Sequence, residues 1–203
     1  MKIALIGASG NVGSRVASEA LSRGHRVTGI ARRPERIAAK AGLTAVRGDA
    51  ASPEALSRVL AGHDAVVSST RFQGSDSRVL LAAVKKAGVK RLLVVGGAGS
   101  LEVAPGRALI DSPEFPAAYK PEASAGRDFL EVLRGEKELD WTFLSPSAFF
   151  GPGERTGKFR LGGDALLVGP DGKSRVSMED YAIALVDELE APRHSRRRFT
   201  VGY

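Results

Sequence analysis

The sequence predicts an α/β domain built on a doubly wound parallel sheet, and three observations carry that prediction. Apolar runs of strand length alternate with amphipathic stretches of helix length from residue 2 onward. Glycine and proline fall between them, where strands end and helices start. The chain opens with strand, glycine-rich turn and helix in direct succession, the unit that repeats through right-handed crossovers.

Lys2-Ile3-Ala4-Leu5-Ile6 is a near-continuous apolar run closed by Gly7, as expected of a strand covered on both faces. Asn11 to Arg23 carries Val12, Val16 and Ala20 at helical spacing and stops at Gly24, which suits a left-handed residue after a helix end. The alternation continues with a strand over Arg26 to Ala31, a helix over Pro34 to Ala41, a strand over Leu43 to Arg47 and a helix over Pro53 to Leu60. Pro34 and Pro53 fit first helical turns, where no amide hydrogen is needed. Ala65 to Ser69 reads as the fourth strand and Arg78 to Ala87 as a helix ended by Gly88. Arg91 to Val95 is the fifth strand, running into Gly96-Gly97-Ala98-Gly99.

Ser100 to Pro121 holds Pro105, Pro113, Pro116 and Pro121 and reads as a long irregular loop of lid type. A helix from about Glu122 to Arg134 and a sixth strand over Trp141 to Leu144 follow, then Ser145-Pro146-Ser147-Ala148-Phe149-Phe150-Gly151-Pro152-Gly153. The tail predicts short strands near Ala165 to Val168 and Arg198 to Val201. Between them lies a helix from about Met178 to Glu190, with Ser177 as its cap and Asp180 in its first turn. Too short to fold alone, this tail reads as a small substrate-side cap, so residues 1–203 form one domain.

Apolar residues at 43% and charged residues at 26% are the balance of a globular protein with a real core. The lack of cysteine excludes a disulfide framework, a thiolate nucleophile and cysteine-held metals. The opening apolar run is too short for a signal core, and no stretch approaches the ~20 apolar residues of a membrane helix, so a soluble cytoplasmic protein is expected. The formal charge of +7 is scattered except at Arg196, Arg197 and Arg198, which argues against a nucleic-acid partner. That triplet reads as a solvated strand entrance. His25, His63 and His194 lack metal-ligand spacing and read as structural.

Gly7-Ala8-Ser9-Gly10-Asn11-Val12-Gly13 is a GxxGxxG turn set between the first strand and the first helix. There Gly7 permits the bend, Gly10 lets amides approach diphosphate oxygens and Gly13 lets helix and strand pack closely. The helix-start amides and dipole favour the anion by roughly 0.3–2 kcal/mol. This is the signature of a Rossmann fold binding a nicotinamide dinucleotide. Residues 1–100 are its dinucleotide-binding core, and 101–203 supply the lid loop, sixth strand and cap. The second strand ends at Ala31-Arg32-Arg33, where an NAD site would place an acid on the ribose 2′-hydroxyl. Arg32 and Arg33, helped by the Ser9 hydroxyl, instead suit a 2′-phosphate, so NADP(H) is favoured, with NAD(H) as the alternative. Asp49, in Gly48-Asp49-Ala50, reads either as an acceptor for the adenine amine or as a cap on the next turn.

GASGNVG after strand one, ARRP after strand two, GDA after strand three and SPSAFFGPG after strand six resemble the atypical short-chain dehydrogenase/reductase superfamily. Within it the chain is most similar to NAD(P)H-binding proteins grouped with flavin reductase and biliverdin-IXβ reductase, with nitrogen-metabolite-repressor-like redox sensors as neighbours. The likeness spans essentially the whole chain. It departs from ordinary short-chain dehydrogenases in lacking Tyr-x-x-x-Lys: Tyr119 is followed four positions on by Ala123, and Tyr181 by Leu185.

The resemblance implies hydride transfer from the nicotinamide to a flavin, quinone or other flat conjugated acceptor, with the proton from solvent. It implies that Ser68, Ser69, Thr70, Gly96, Gly97, Pro146, Ser147, Ala148 and Phe149 frame the nicotinamide. Ser100 and Tyr119 are then the candidate substrate contacts or proton donors. Phe72 and Phe115, in loops, are candidates for the wall against which the acceptor stacks, and Phe149 and Phe150 read equally as wall or core. A non-catalytic NADP(H) sensor is the alternative that the missing dyad favours, and a sugar-nucleotide epimerase-like enzyme is a weaker third.

Overall fold

The computed structural model describes residues 1–49 and 52–203, so Ala50 of the Gly-Asp-Ala motif lies outside the described residues. The first half runs β1 (Lys2–Ile6), α1 (Asn11–Ser22), β2 (Arg26–Ala31), β3 (Leu43–Arg47), α2 (Pro53–Leu60), β4 (Ala65–Ser68), α3 (Ser77–Lys86) and β5 (Arg91–Val95). A hairpin of β6 (Glu102–Ala104) and β7 (Arg107–Ala108) follows, then α4 (Lys120–Gly135), β8 (Asp140–Ser145), β9 (Phe149–Gly151) and β10 (Arg160–Gly162). The chain closes with β11 (Arg175–Ser177), α5 (Met178–Glu190) and β12 (Arg197–Gly202).

The main sheet has the order β3-β2-β1-β4-β5-β8-β12-β10. Its pairings are parallel except at the edge, where β10 meets β12 antiparallel. The order reverses direction at β1, which puts a crevice beyond the carboxyl ends of β1 and β4.

Alternation along the strands explains the two cores. Ile3 and Leu5 face Val16 and Ala20 of α1 and Tyr181 and Leu185 of α5. Ala4 and Ile6 face Leu56 and Leu60 of α2, Leu80 and Val84 of α3, and Leu130 and Leu133 of α4. Both faces of β1 are covered, which is why its sequence is a continuous apolar run.

Four expectations are corrected. Pro34 to Ala41 is not a helix: only Pro34–Arg36 makes a 3-10 turn. The segment offers Ile37 alone to the core, too little for a helix to bury, and Thr44, Ala45 and Arg47 of β3 are exposed beside it. The tail strand lies at Arg160–Gly162 rather than at Ala165 to Val168, where Ala165 makes only an isolated bridge to Glu102. The segment expected to be an irregular loop carries the β6/β7 hairpin, bound to the tail by Glu102 N to Asp164 O and Leu166 N to Glu102 O, at 2.9 and 2.8 Å. Lastly, Arg198 is not solvated: it is buried against Asp164, while Arg196 and Arg197 are exposed.

Candidate functional site

The turn after β1 is built on glycines that packing requires. Gly7 takes φ +85°, and a Cβ there would lie 2.3 Å from the Ser69 carbonyl oxygen. A Cβ on Gly13 would lie 2.2 Å from the Gly7 carbonyl oxygen, so α1 starts in direct contact with the turn. Gly10 is different: its Cβ would meet only the Gly7 oxygen, at 3.3 Å, and faces open space. The Gly10 amide closes the turn onto Gly7 O at 3.0 Å, and no side chain caps α1. The amides of Asn11, Val12 and Gly13, the first three of the helix, therefore have no intrahelical acceptor and point outward. Uncapped donors above a glycine cradle fit the diphosphate of a dinucleotide.

Beside this turn lies a cleft of about 350 Å³ lined by Gly7, Ser9, Gly10, Arg32, Asp49, Ser69, Thr70 and Arg71, with Gln73, Gly74 and Ser75 at its outer wall. Arg32 is exposed and makes no hydrogen bond or ion pair with another described residue. Arg33 stands next to it but does not line the cleft, because its backbone turns away into the 3-10 turn. Asp49 is on the wall, and its carbonyl oxygen accepts from Ser52 N at 3.2 Å. Arg71 and Gln73 were not singled out from sequence. The only signal was a cation and an amide directly after Ser68-Ser69-Thr70, which strand patterning does not register.

A second, larger cavity of about 790 Å³ opens beyond β5 and β8, under the start of α4. Its floor is backbone: Gly96, Gly97, Ala98 and Gly99, with Pro146, Ser147 and Ala148 opposite. Packing excludes a side chain at Gly96, where a Cβ would sit 2.4 Å from the Phe143 ring, and crowds Gly99, where it would sit 2.7 Å from Ala123 Cβ, whereas at Gly97 it would meet only the Phe72 ring at 3.9 Å. Phe115, Phe149 and Phe150 form the apolar wall. Phe149 is 71% exposed and so is no core residue, whereas Phe150 packs on Tyr181 at a ring distance of 4.8 Å. Phe72, expected in a loop at the wall, lines the cavity but is mostly core, 5.3 Å from Phe129 and 5.9 Å from Phe143.

Ser100 and Tyr119 both line this cavity. The Ser100 hydroxyl oxygen accepts from Arg198 at 3.4 Å, and Tyr119, 66% exposed, stands at the amino end of α4. Two other hydroxyls are committed to the fold. Ser147 is buried and donates to Val201 O at 3.0 Å, and Ser68 is buried with its oxygen 3.2 Å from that of Thr70. Tyr181 is buried and donates to Leu144 O at 2.7 Å, and burial raises its pKa above that of a free phenol.

The segment 152–157, which follows β9 and lies outside this cavity's lining, is tied down by carboxylates. Asp180 accepts from Thr156 N and Gly157 N, both at 2.8 Å, and from the Tyr203 hydroxyl at 2.8 Å. Burial pushes its pKa up, but these donors outweigh it and the carboxyl titrates below its usual value. Glu19 of α1 holds Arg155 through two 2.9 Å bonds, and chiefly for that reason its pKa is lowered. Ser177 caps α5 by accepting from Asp180 N at 3.0 Å. The three histidines are all engaged within the fold, with Glu190, Thr28 and Glu188 respectively. Among the described residues no group of acids and histidines is placed to hold a metal, and no helix is long and apolar enough to cross a membrane.

A parallel sheet ordered about β1, an uncapped glycine turn at its switch point and an adjoining cavity define a Rossmann-type fold of the nucleotide-binding class. The chain belongs to the NAD(P)H-binding family, whose model matches residues 7–192. It is 41% identical to YwnB, an uncharacterized protein of Bacillus subtilis, over 99% of this chain and 98% of that one. A Bacteroides thetaiotaomicron structure provisionally named an epimerase shares 47% identity at a TM-score of 0.94, covering 100% of this chain and 96% of the other. One from Streptococcus pneumoniae, provisionally named an NADH-flavin reductase, shares 35% at 0.84, covering 100% and 99%.

Proposed function

We propose that the protein is an NADPH-dependent reductase whose acceptor is a flat conjugated molecule, a flavin or quinone, bound in the cavity beyond β5 and β8. The observation that carries this reading is the exposed Phe149 ring on the wall of a cavity with a backbone floor, adjoining the glycine-turn cleft. A flat ring gains both burial and stacking there, and the backbone floor brings it close to the sheet end. The Streptococcus pneumoniae relative's name is in keeping with it.

In this reading Gly10, Asn11, Val12 and Gly13 hold the diphosphate, and Arg32, with Arg33, Ser9 and Arg71 nearby, receives the 2′-phosphate. Ser69, Thr70, Gly96, Gly97, Pro146, Ser147 and Ala148 position the nicotinamide, Ser147 and Ala148 by shape and backbone. When bound, the nicotinamide supplies two electrons and one hydrogen to the acceptor. In this reading the hydroxyl of Tyr119 or Ser100, both lining the cavity, passes the accompanying proton from solvent. The residue one turn after Tyr119 is Ala123 rather than a lysine, so alcohol–ketone chemistry by that dyad is not supported. The same absence favours a second reading, a sensor that binds NADP(H) without consuming it.

The purified protein is mixed with NADPH and FMN, menadione or dichlorophenolindophenol, and the nicotinamide absorbance is followed. Steady loss supports the reductase. Tight binding without loss for every acceptor overturns it in favour of the sensor.

A further inference from the structure

The dinucleotide cleft and the apolar cavity are separated by one thin wall, the turn 70–75. Its outer residues Thr70, Arg71 and Gln73 line the cleft, and Phe72 between them points the other way into the cavity wall. The turn closes on itself through Ser75 N to Phe72 O at 3.0 Å, with Gly74 at φ +79°. On the cleft side the Ser75 hydroxyl donates to Arg71 O at 2.7 Å, a bond within the turn itself, and among the described residues no side chain of another element on that side bonds Arg71 or Gln73. The grip comes from the opposite side: Glu122, in the first turn of α4, accepts from Phe72 N at 2.8 Å with one carboxylate oxygen and from Gln73 N at 2.9 Å with the other.

An acid in a first helical turn is ordinary, since it complements the helix dipole. That role needs no reach to another segment. Here both oxygens are engaged by two consecutive amides 50 and 49 residues away in sequence, a charge-assisted bidentate clamp. Glu122 also lines the apolar cavity, one turn from Tyr119.

We infer that Glu122 is a positioning residue for the cofactor: from the acceptor side of the wall it fixes the backbone that presents Arg71 and Gln73 to the adenosine half of the dinucleotide. The inference rests on reading the glycine-turn cleft as the dinucleotide site and does not depend on the acceptor. With both amides released, the turn keeps the Phe72 ring and its internal bonds from Ser75 but loses its tie to α4, and the cleft wall loses its set position.

Calorimetric titration of the full chain with NADPH and with adenosine 2′,5′-bisphosphate tests this. Glu122→Ala is expected to weaken both about tenfold. Glu122→Gln, which keeps one carbonyl acceptor, is expected to weaken both about threefold. Val84→Ala, a core truncation in α3 away from both cavities, lowers the melting temperature but leaves both affinities within twofold of wild type. A Glu122→Ala protein within twofold of wild type overturns the inference, as does a Val84→Ala protein weakened as much as Glu122→Ala. Should Glu122→Ala not fold, wild-type affinity in Glu122→Gln overturns it. The titrations contain no acceptor, so failure of the reductase reading leaves them intact.

Discussion

Gly10 and Gly13 stand three residues apart in one turn, yet the structure gives alanine different consequences at each. At Gly13 the added methyl would lie 2.2 Å from the Gly7 oxygen, 2.9 Å from its carbonyl carbon and 3.2 Å from Ala8 Cα, all backbone. The first of these is about 1.2 Å inside ordinary contact, so α1 must move away from β1. Overpacking of this kind costs roughly 1–3 kcal/mol. At roughly 2–4 °C per kcal/mol for a chain of this size, Gly13→Ala is expected to melt ~2–12 °C lower. At Gly10 the backbone, φ −81° and ψ 167°, is one that alanine adopts, and the methyl meets a single atom at 3.3 Å. Stability should fall by less than about 1 kcal/mol, the loss of a permissive cap position. The methyl would, however, stand in the space above the free amides, where it keeps a diphosphate from hydrogen-bonding distance. Losing one or two charge-assisted bonds at ~1.5 kcal/mol each is about 10- to 100-fold in affinity. Thermal melts of the free protein and fluorescence titration with NADPH measure the two effects separately. Full NADPH affinity in Gly10→Ala, or a larger loss of stability there than in Gly13→Ala, would refute the placement of the diphosphate on this turn.

Arg32→Glu should weaken NADPH at least tenfold and NADH less than threefold, with Arg33→Ala much milder because Arg33 does not line the cleft; equal losses for both cofactors sink the 2′-phosphate assignment. Phe149→Ala, at a mostly exposed ring, should leave the melting temperature and NADPH affinity unchanged while raising the acceptor KM about tenfold; an unchanged KM removes the stacking wall. Glu19 and Asp180 both have folded pKa values below their ordinary 4.5 and 3.8, so the stability they add is fully present above those values and is lost as pH falls through the folded ones. Melting temperature should therefore hold from neutral pH to about 5 and drop below about 4.5, more shallowly in Glu19→Gln; an identical acid slope in that variant contradicts the assignment. Asp180→Asn should lower stability by about 2–4 kcal/mol, since an amide cannot accept from all the donors that converge there, and limited proteolysis should then cut within 152–157.

The first half of the fold was legible because its strands are buried on both faces and write themselves as apolar runs, as in Lys2 to Ile6 and Arg91 to Val95. Where tertiary contact rather than local pattern decides, reading failed. Pro34 to Ala41 has helix-forming residues but only Ile37 to bury, and Arg160–Gly162 becomes a strand only because β12 offers it an edge. Arg198 looked solvated as one of three arginines, and only the sheet pairing shows that its side chain lies over Ser100 and Asp164. The glycine turn was visible because its chemistry is backbone chemistry, encoded by the absence of side chains at fixed spacing. The clamp of Glu122 on Phe72 and Gln73 joins positions half a hundred residues apart, which spacing along the chain does not reveal.

The bare peptide floor at Gly96 and Gly97 also bears on which molecules the cavity distinguishes. With no side chain beneath a bound ring there is little to read its substituents from below, and discrimination falls to the aromatic flank and to the rim. A pocket of that construction sorts its guests by planarity and thickness rather than by their functional groups, so a panel of acceptors with unrelated decorations but equal flatness should be turned over at rates that follow their ease of reduction.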